Sequence, residues 1–300
     1  DMAKCVALLL THGGRPQDYF GELLVPGPIL PLIAVPTTAG TGSEVTPVAV
    51  LSDTERVLKV GISSPHLIPV TAICDPDLTL TCPPGLTAIA GADAMTHAIE
   101  AFTAIRRPLT PDLTQERVFV GKNLSSDQFA LRAMTLLSEG LERACVEGSD
   151  AEARGKVMLG ATLAGLAFGV AGTAAAHAIQ YPIGALTHTA HGTGVACLMP
   201  YVMAWNAPAI GPELAEMARA MGVSHGDPVR THRDSPHPAR PRPGRGQAGL
   251  GRRAVPRHRP PDPEQPAPDH RSRHETPPAR GLHRRPRLRA RPSLRTRHDP

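Results

Sequence analysis

The sequence predicts an α/β lobe followed by an all-helical lobe and then a tail of different composition. Short β-rich runs broken by turn residues occupy residues 31–77. From residue 83 onward, apolar residues recur with helical spacing, and Pro, Ser or Asp often begins a segment. Large apolar residues become scarce after residue 223. We therefore expect three regions, with bounds 1–84, 85–223 and 224–300.

The predicted strands of the first lobe are apolar runs bounded by turn residues. In chain order they are PLIAVP, PVAVLSD, RVLKVGI and TAICDPD. The Gly/Thr-rich stretch PTTAGTGSEVT lies between the first two, and we predict a loop there. The change to helix-forming sequence falls near residues 81–85.

The predicted helices of the second lobe are PPGLTAIAGADAMTHAIEAF, DQFALRAMTLLSEGLERACVEG, AEARGKVMLGATLAGLAF, HAIQYPIGAL and PELAEMARAMGV. Residues 157–176 carry no charge and are long enough to span a bilayer. Because Gly and Ala dominate this stretch, we expect a buried helix and no membrane span. Gly160, Gly165 and Gly169 predict a closely approaching neighbouring helix.

The charge of the protein is distributed unevenly between the tail and the rest of the chain. Residues 224–300 hold 19 Arg and 7 acidic residues, whereas residues 1–223 hold 13 basic and 20 acidic residues. The tail contains 16 of the 33 prolines and lacks aromatic residues, so it cannot form a packed core and is predicted to be disordered. Its composition is typical of a frameshifted GC-rich gene. A basic tail also suggests nucleic acid as a partner, but the absence of aromatic residues argues against it.

The five cysteines are scattered without C-x-x-C spacing, which predicts neither a disulfide framework nor a thiolate zinc site. A cytoplasmic location is the resulting expectation. The sequence opens at Asp1 without Met or a recognisable secretory signal, and it is equally consistent with a fragment that has lost its start.

Candidate metal ligands lie in the Gly/Ala-rich helical region. Asp93 and His97 are four residues apart in GADAMTHAIE, so one helix face presents both side chains. His177 and His191 are two further imidazoles, fourteen residues apart. One carboxylate and three neutral imidazoles suit Fe(II) or Zn(II). The alternative is that each histidine is an isolated polar residue satisfied by a local hydrogen bond.

The loop at residues 36–46 is a candidate cofactor site, although it lacks the third glycine of a dinucleotide fingerprint. Its hydroxyls and amides are suited to binding phosphate or ribose. Lys59, in an otherwise apolar run, either adds a cation to this site or extends to solvent. An ordinary Gly/Thr-rich turn is the alternative interpretation.

Three segments together resemble the iron-containing alcohol dehydrogenase family over residues 1–223. They are PTTAGTGSEVT, GADAMTHAIEAF and HAIQYPIGALTHTAHGTGVACLMPYVMAWN. The resemblance implies a dehydroquinate-synthase-like fold, a nicotinamide-binding α/β lobe and a helical metal-binding lobe. DMAK at residues 1–4 resembles the end of the family's Gly-rich segment, whose glycines are absent here. Both lobes are therefore expected to be incomplete.

The resemblance implies specific site residues. The family's metal ligands match Asp93, His97, His177 and His191. Its cofactor-binding threonines and lysine match the following positions: Thr37, Thr38, Thr41 and Lys59. The implied cofactors are Fe(II) or Zn(II) and NAD or NADP, and the implied reaction is hydride transfer between an alcohol and the nicotinamide. The implied partners are an alcohol or aldehyde and, at full length, a second copy of the chain.

Two features resemble the hydroxyacid–oxoacid transhydrogenase branch of the family. Tyr181 stands where many members have a second histidine that relays a proton, and a loop is inserted at residues 106–127. Tyr181 is therefore a candidate proton-relay residue. Transhydrogenation, an inactive fragment of such an enzyme and a non-redox metal lyase of the same fold are the alternatives to alcohol oxidation.

Overall fold

The computed structural model describes residues 1–53 and 58–223, and these belong to one compact unit. The predictions made for residues 224–300, namely disorder and a frameshifted origin, lie outside the described residues. The order of elements agrees with the predicted fold class. Strands occupy the first part of the described chain, and helices follow it.

The described N-terminal part contains helix α1 (Met2–His12) and five short strands. The strands are β1 (Gly21–Glu22), β2 (Ile33–Ala34), β3 (Val48–Asp53), β4 (Leu58–Ser63) and β5 (Thr71–Ala72). In the larger sheet β4 is central, pairing parallel with β1 and antiparallel with β3. β2 and β5 form a separate parallel pair.

The predicted strand regions are confirmed, but two of them are much shorter than their apolar runs. PLIAVP forms a strand only at β2, because a proline at each end of this run has no N–H to donate. TAICDPD pairs only at β5. Helix α1 was not anticipated, and it packs the buried Leu8 against Ala49 of β3 and Ile62 of β4.

Helices dominate the chain after residue 83. They are α2 (Pro84–Thr103), α3 (Leu113–Glu116), α4 (Leu124–Val146), α5 (Ala151–Ala171), α6 (Ala175–Thr187), α7 (His191–Asn206) and α8 (Gly211–Ala220). The five segments predicted as helices are confirmed. Helix α7 was not among the predicted helices. It contains Gly192, Gly194 and Pro200, which disfavour helix and obscure its pattern in the sequence.

The core of the helical part lies between α2, α4 and α5 and includes many alanines. Such small side chains let the helices approach closely. Gly160 of α5 meets Leu137 of α4 in this way, as expected for a neighbouring helix. The expectation was wrong for Gly165 and Gly169, which instead face the loop around Gly42 and the backbone at Thr46.

Among the described residues, no single helix is both long and apolar enough to cross a membrane. Helices α5 and α6 reach that length and composition only when taken together, and they are bent by 101° at their junction. The five cysteines are free, as their spacing predicted.

Candidate metal centre

Helix α2 presents Asp93 and His97 on one face, one turn apart. Both are buried, each with 6% of its surface exposed, and His97 Nε2 lies 3.9 Å from Asp93 Oδ1. The i, i+4 spacing therefore places two polar groups side by side in an apolar surrounding, as the sequence predicted.

Helices α6 and α7 bring the other two histidines to the same carboxylate oxygen. His177 Nε2 lies 3.6 Å from Asp93 Oδ1, and His191 Nε2 lies 3.7 Å from it. These three residues offer ligand atoms within 4.8 Å of one another. His97 is outside that group of three. Its ring stacks on those of Phe168 and His177, with 4.2 Å and 4.6 Å between ring centroids.

The arrangement is suited to a divalent metal ion. Asp93 Oδ1 and His177 Nε2 are buried and have no hydrogen-bond partner among the described residues. Buried polar atoms without partners are rare in proteins, and here they converge. Tetrahedral ligands about 2.1 Å from an ion lie about 3.4 Å apart, close to the separations seen here. The assignment of the four residues as ligands stays a prediction that this geometry supports.

Burial and neighbouring charges together determine the pKa values of the four cluster residues. Burial by itself raises the pKa of Asp93, but the neighbouring imidazoles lower it to about 2. Burial lowers the pKa of His97 to about 4, and it also lowers the pKa of His191. For His177 burial opposes protonation, yet Asp93 and Glu100 raise its pKa to about 9. Asp93 is therefore ionised at neutral pH, whereas His97 is neutral.

We expect the affinity for zinc to increase as the pH rises from about 6 to 9. Metal ligands must be unprotonated, and a His177 with a pKa of about 9 holds a proton that the metal has to displace. One displaced proton strengthens apparent binding by about tenfold per pH unit below that pKa. Chelator competition at several pH values, with a pH indicator to count released protons, measures this. An affinity independent of pH would contradict it.

Sequence reasoning missed Glu100, which is 1% exposed. It lies on α2 and accepts a hydrogen bond of 2.6 Å from His177 Nδ1. Its carboxylate also accepts from the backbone N–H groups of Ala174 and Ala176, each at 2.7 Å. The available signal was its spacing of three residues after His97, on the same face of α2.

A cavity of about 550 Å³ is lined by Asp93 and the three histidines. Its lining includes the predicted cofactor residues Thr38, Thr41 and Lys59, together with Tyr181. Thr37 is exposed and is not among the lining residues. The structure thus brings three of the four predicted cofactor residues to the cavity that holds the predicted metal ligands.

The Gly/Thr-rich loop is held against α5 by two glycines. Gly42 has a φ of 60°, in the left-handed region, and a Cβ atom added to Gly165 would lie 2.8 Å from its Cα. Lys4 fixes the end of the loop, because its Nζ donates to the carbonyl oxygen of Thr46 at 2.7 Å. Close backbone contact therefore determines where Thr41 sits in the cavity.

Tyr181 and the inserted loop also contribute to the cavity. The Tyr181 ring stacks on His191 with 5.7 Å between ring centroids, and burial raises its pKa. The inserted loop contains α3 and is tied to β1, since Val118 N donates to Glu22 Oε2 at 3.0 Å. Phe119, next to that anchor, lines the cavity with Phe168, and sequence reasoning did not identify either aromatic residue.

Comparisons with known proteins identify the class to which this fold belongs, a family of oxidoreductases. Residues 1–76 match the model for iron-containing alcohol dehydrogenase, and residues 87–236 match the C-terminal model of the Fe-containing alcohol dehydrogenase family. The chain belongs to the iron-containing alcohol dehydrogenase family. Residues 237–300 lie beyond both matches.

Curated relatives share more than a third of their aligned residues with this chain. Long-chain-alcohol dehydrogenase 1 of Geobacillus thermodenitrificans is 39% identical, over 74% of this chain and 53% of the relative. NAD-dependent methanol dehydrogenase of Bacillus methanolicus is 37% identical, over 74% of this chain and 54% of the relative. The chain therefore spans about half the length of these relatives.

Solved structures support the same fold. A 1,3-propanediol oxidoreductase superposes with a TM-score of 0.66 and 35% identity, covering 73% of this chain and 53% of that one. Sulfoacetaldehyde reductase from Bifidobacterium kashiwanohense, in complex with NAD⁺, superposes with a TM-score of 0.63 and 32% identity. The match covers 77% of this chain and 57% of that one. The predicted dehydroquinate-synthase-like fold class is thereby confirmed.

Proposed function

We propose that the chain carries the metal site and part of the cofactor site of an NAD(P)-dependent alcohol dehydrogenase. The main observation behind this proposal is that the predicted metal ligands and three predicted cofactor residues line one cavity. They are Asp93, His177 and His191, together with Thr38, Thr41 and Lys59. Family membership supports alcohol oxidoreduction, and one relative is described as NAD-dependent. The proposed substrates are an alcohol or hydroxy acid and the corresponding carbonyl compound.

The donor set favours Fe(II) or Zn(II) held by Asp93, His97, His177 and His191. Bound there, either ion would supply Lewis acidity toward the substrate oxygen, and a bound nicotinamide would supply the hydride acceptor. The chain's own part is to present one buried carboxylate with three imidazoles, of which His177 loses its proton when the ion binds. Phe119 and Phe168 provide the apolar wall against which a substrate carbon chain packs.

The cofactor side depends on different residues. We propose that the Thr38 and Thr41 hydroxyls hydrogen-bond the cofactor and that the Lys59 ammonium offsets a phosphate charge. Tyr181 is the proposed proton-relay residue, its Oη exchanging the hydroxyl proton of the alcohol with solvent. Its stacking on His191 keeps the ring at the cavity wall.

Lys59→Met is expected to weaken NADH binding by about 10- to 100-fold, because a charge-assisted hydrogen bond contributes about 1.5–3 kcal/mol. Fluorescence titration with NADH measures this, and titration with NADPH shows which nucleotide is preferred. Lys156→Met is the control, since Lys156 pairs with Glu139 and Glu152 away from the cavity. Equal NADH affinity in both variants would remove Lys59 from the site.

The function itself is tested with the metal-loaded chain. NAD⁺-dependent oxidation of primary alcohols, or NADH consumption with aldehydes, is the expected result. Reduction of an oxoacid by a hydroxyacid without added NAD⁺ would instead identify the transhydrogenase that Tyr181 and the inserted loop suggest. Turnover with neither a change in NADH absorbance nor reduction of an oxoacid would indicate lyase chemistry. Metal binding without any of these activities would refute the dehydrogenase activity of this chain and leave only its metal site.

A further inference from the structure

We propose that Glu100 is a positioning residue of the metal centre, whose carboxylate holds the His177 ring with Nε2 directed toward Asp93. The inference rests on the proposed metal site and adds a residue that acts through one of its ligands. Glu100 itself is not among the residues lining the cavity. Its role is to decide which ring nitrogen of His177 faces the ion.

A hydrogen bond links the Glu100 and His177 side chains. An ionised carboxylate only accepts hydrogen bonds, so the contact of 2.6 Å between Glu100 Oε2 and His177 Nδ1 places a proton on Nδ1. Nε2 is the other ring nitrogen and lies 3.6 Å from Asp93 Oδ1. Partners of this kind fix the tautomer and the orientation of metal-bound histidines.

The Glu100 carboxylate also joins two helices. Helix α6 begins after Ala174, which offers no capping side chain, and Glu100 accepts from the backbone N–H groups of Ala174 and Ala176 instead. His177 is the residue that follows these two contacts. Glu100 therefore ties the start of α6 to α2, the helix that carries Asp93 and His97.

Burial distinguishes Glu100 from an ordinary surface cap. A buried charge is costly unless it is paired and hydrogen-bonded, and three donors surround Glu100 at 1% exposure. The two backbone donors contact different oxygens of the carboxylate, so they need two acceptors but no negative charge. The third donor is an imidazole, and it benefits from the negative charge because a carboxylate makes His177 a more basic ligand.

The test is zinc affinity in Glu100→Gln, measured by chelator competition at about pH 9, where a proton on His177 competes little with the ion in either protein. Glutamine keeps the shape and one accepting oxygen, but it removes the charge and turns an amide NH2 toward one of the donors that the two carboxylate oxygens accept from. We expect a 10- to 100-fold loss of zinc affinity. Asp127→Asn is the matched control, because Asp127 is a buried carboxylate of α4 that pairs with Lys122 and Arg106. Its zinc affinity is expected to stay within twofold of the parent chain.

A second variant separates positioning from general folding effects. If Glu100 acts through His177, then Glu100→Gln will lower zinc affinity much less in a His177→Ala background than in the parent chain. An equal loss in both backgrounds would overturn the inference. Unchanged zinc affinity in Glu100→Gln alone, with the parent chain binding zinc, would also overturn it.

A measurement on the unsubstituted protein covers the case in which the variants do not fold. Nitrogen-15 NMR of the zinc-loaded full chain is expected to show His177 as the Nδ1–H tautomer, assigned from the spectrum of selectively labelled protein. Metal bonding through Nδ1, with the proton on Nε2, would overturn the inference. Failure of the parent chain to bind zinc would refute the proposed metal centre as well, which distinguishes the two failures.

Discussion

His191→Ala is expected to lower the zinc affinity of the chain by about 100-fold or more and to leave the purified protein with little bound metal. His191 Nε2 lies 3.7 Å from Asp93 Oδ1 at the open side of the cluster. Binding of zinc by four ligands contributes about 10–16 kcal/mol, so one ligand represents a few kcal/mol. The side chain is 23% exposed, which limits the effect of its removal on packing. Elemental analysis and chelator competition measure the loss.

His188→Asn is the control for this variant. His188 is exposed, precedes α7 and has a φ of 54°, a left-handed conformation that asparagine tolerates. It is not among the residues lining the cavity. The control is expected to retain the metal content of the parent chain. Unchanged metal content in the His191→Ala protein would contradict the assignment of His191 as a metal ligand.

Gly165→Val is expected to destabilise the chain by about 2–3 kcal/mol and to abolish nucleotide binding while leaving the metal site intact. A Cβ at this position would lie 2.8 Å from Gly42 Cα and 2.9 Å from Gly42 O, so the loop has to move away from α5. Such a movement displaces Thr41, which lines the cavity one residue before Gly42. Denaturant unfolding, NADH titration and zinc competition measure the three effects separately.

Gly155→Val on the same helix is the matched control for Gly165→Val. A Cβ at Gly155 meets nothing within 4 Å, so this substitution carries the cost of valine in a helix without the clash. We expect a loss of stability well below that of Gly165→Val and normal NADH binding. Equal destabilisation in the two variants would show that contact between Gly165 and the loop is unimportant.

Several features follow from local sequence alone. The long helices of the second half were predictable because apolar residues repeat with helical spacing, and the same spacing placed Asp93 and His97 on one face of α2. The order of strands and then helices was predictable from composition and turn residues. The family resemblance supplied His177 and His191 as partners of this pair, and the structure brings them within 4 Å of Asp93 Oδ1.

Other features depended on which elements meet. The contact between Glu100 and His177 joins residues 77 positions apart, and the contact of Val118 with Glu22 joins residues 96 positions apart. No local sequence pattern predicts contacts between residues so far apart along the chain. For the same reason, the sequence suggested that Gly165 faces a neighbouring helix, whereas the structure places the Gly42 loop there. Periodicity determines which face of an element is buried, but only the packing of distant elements decides what that face touches.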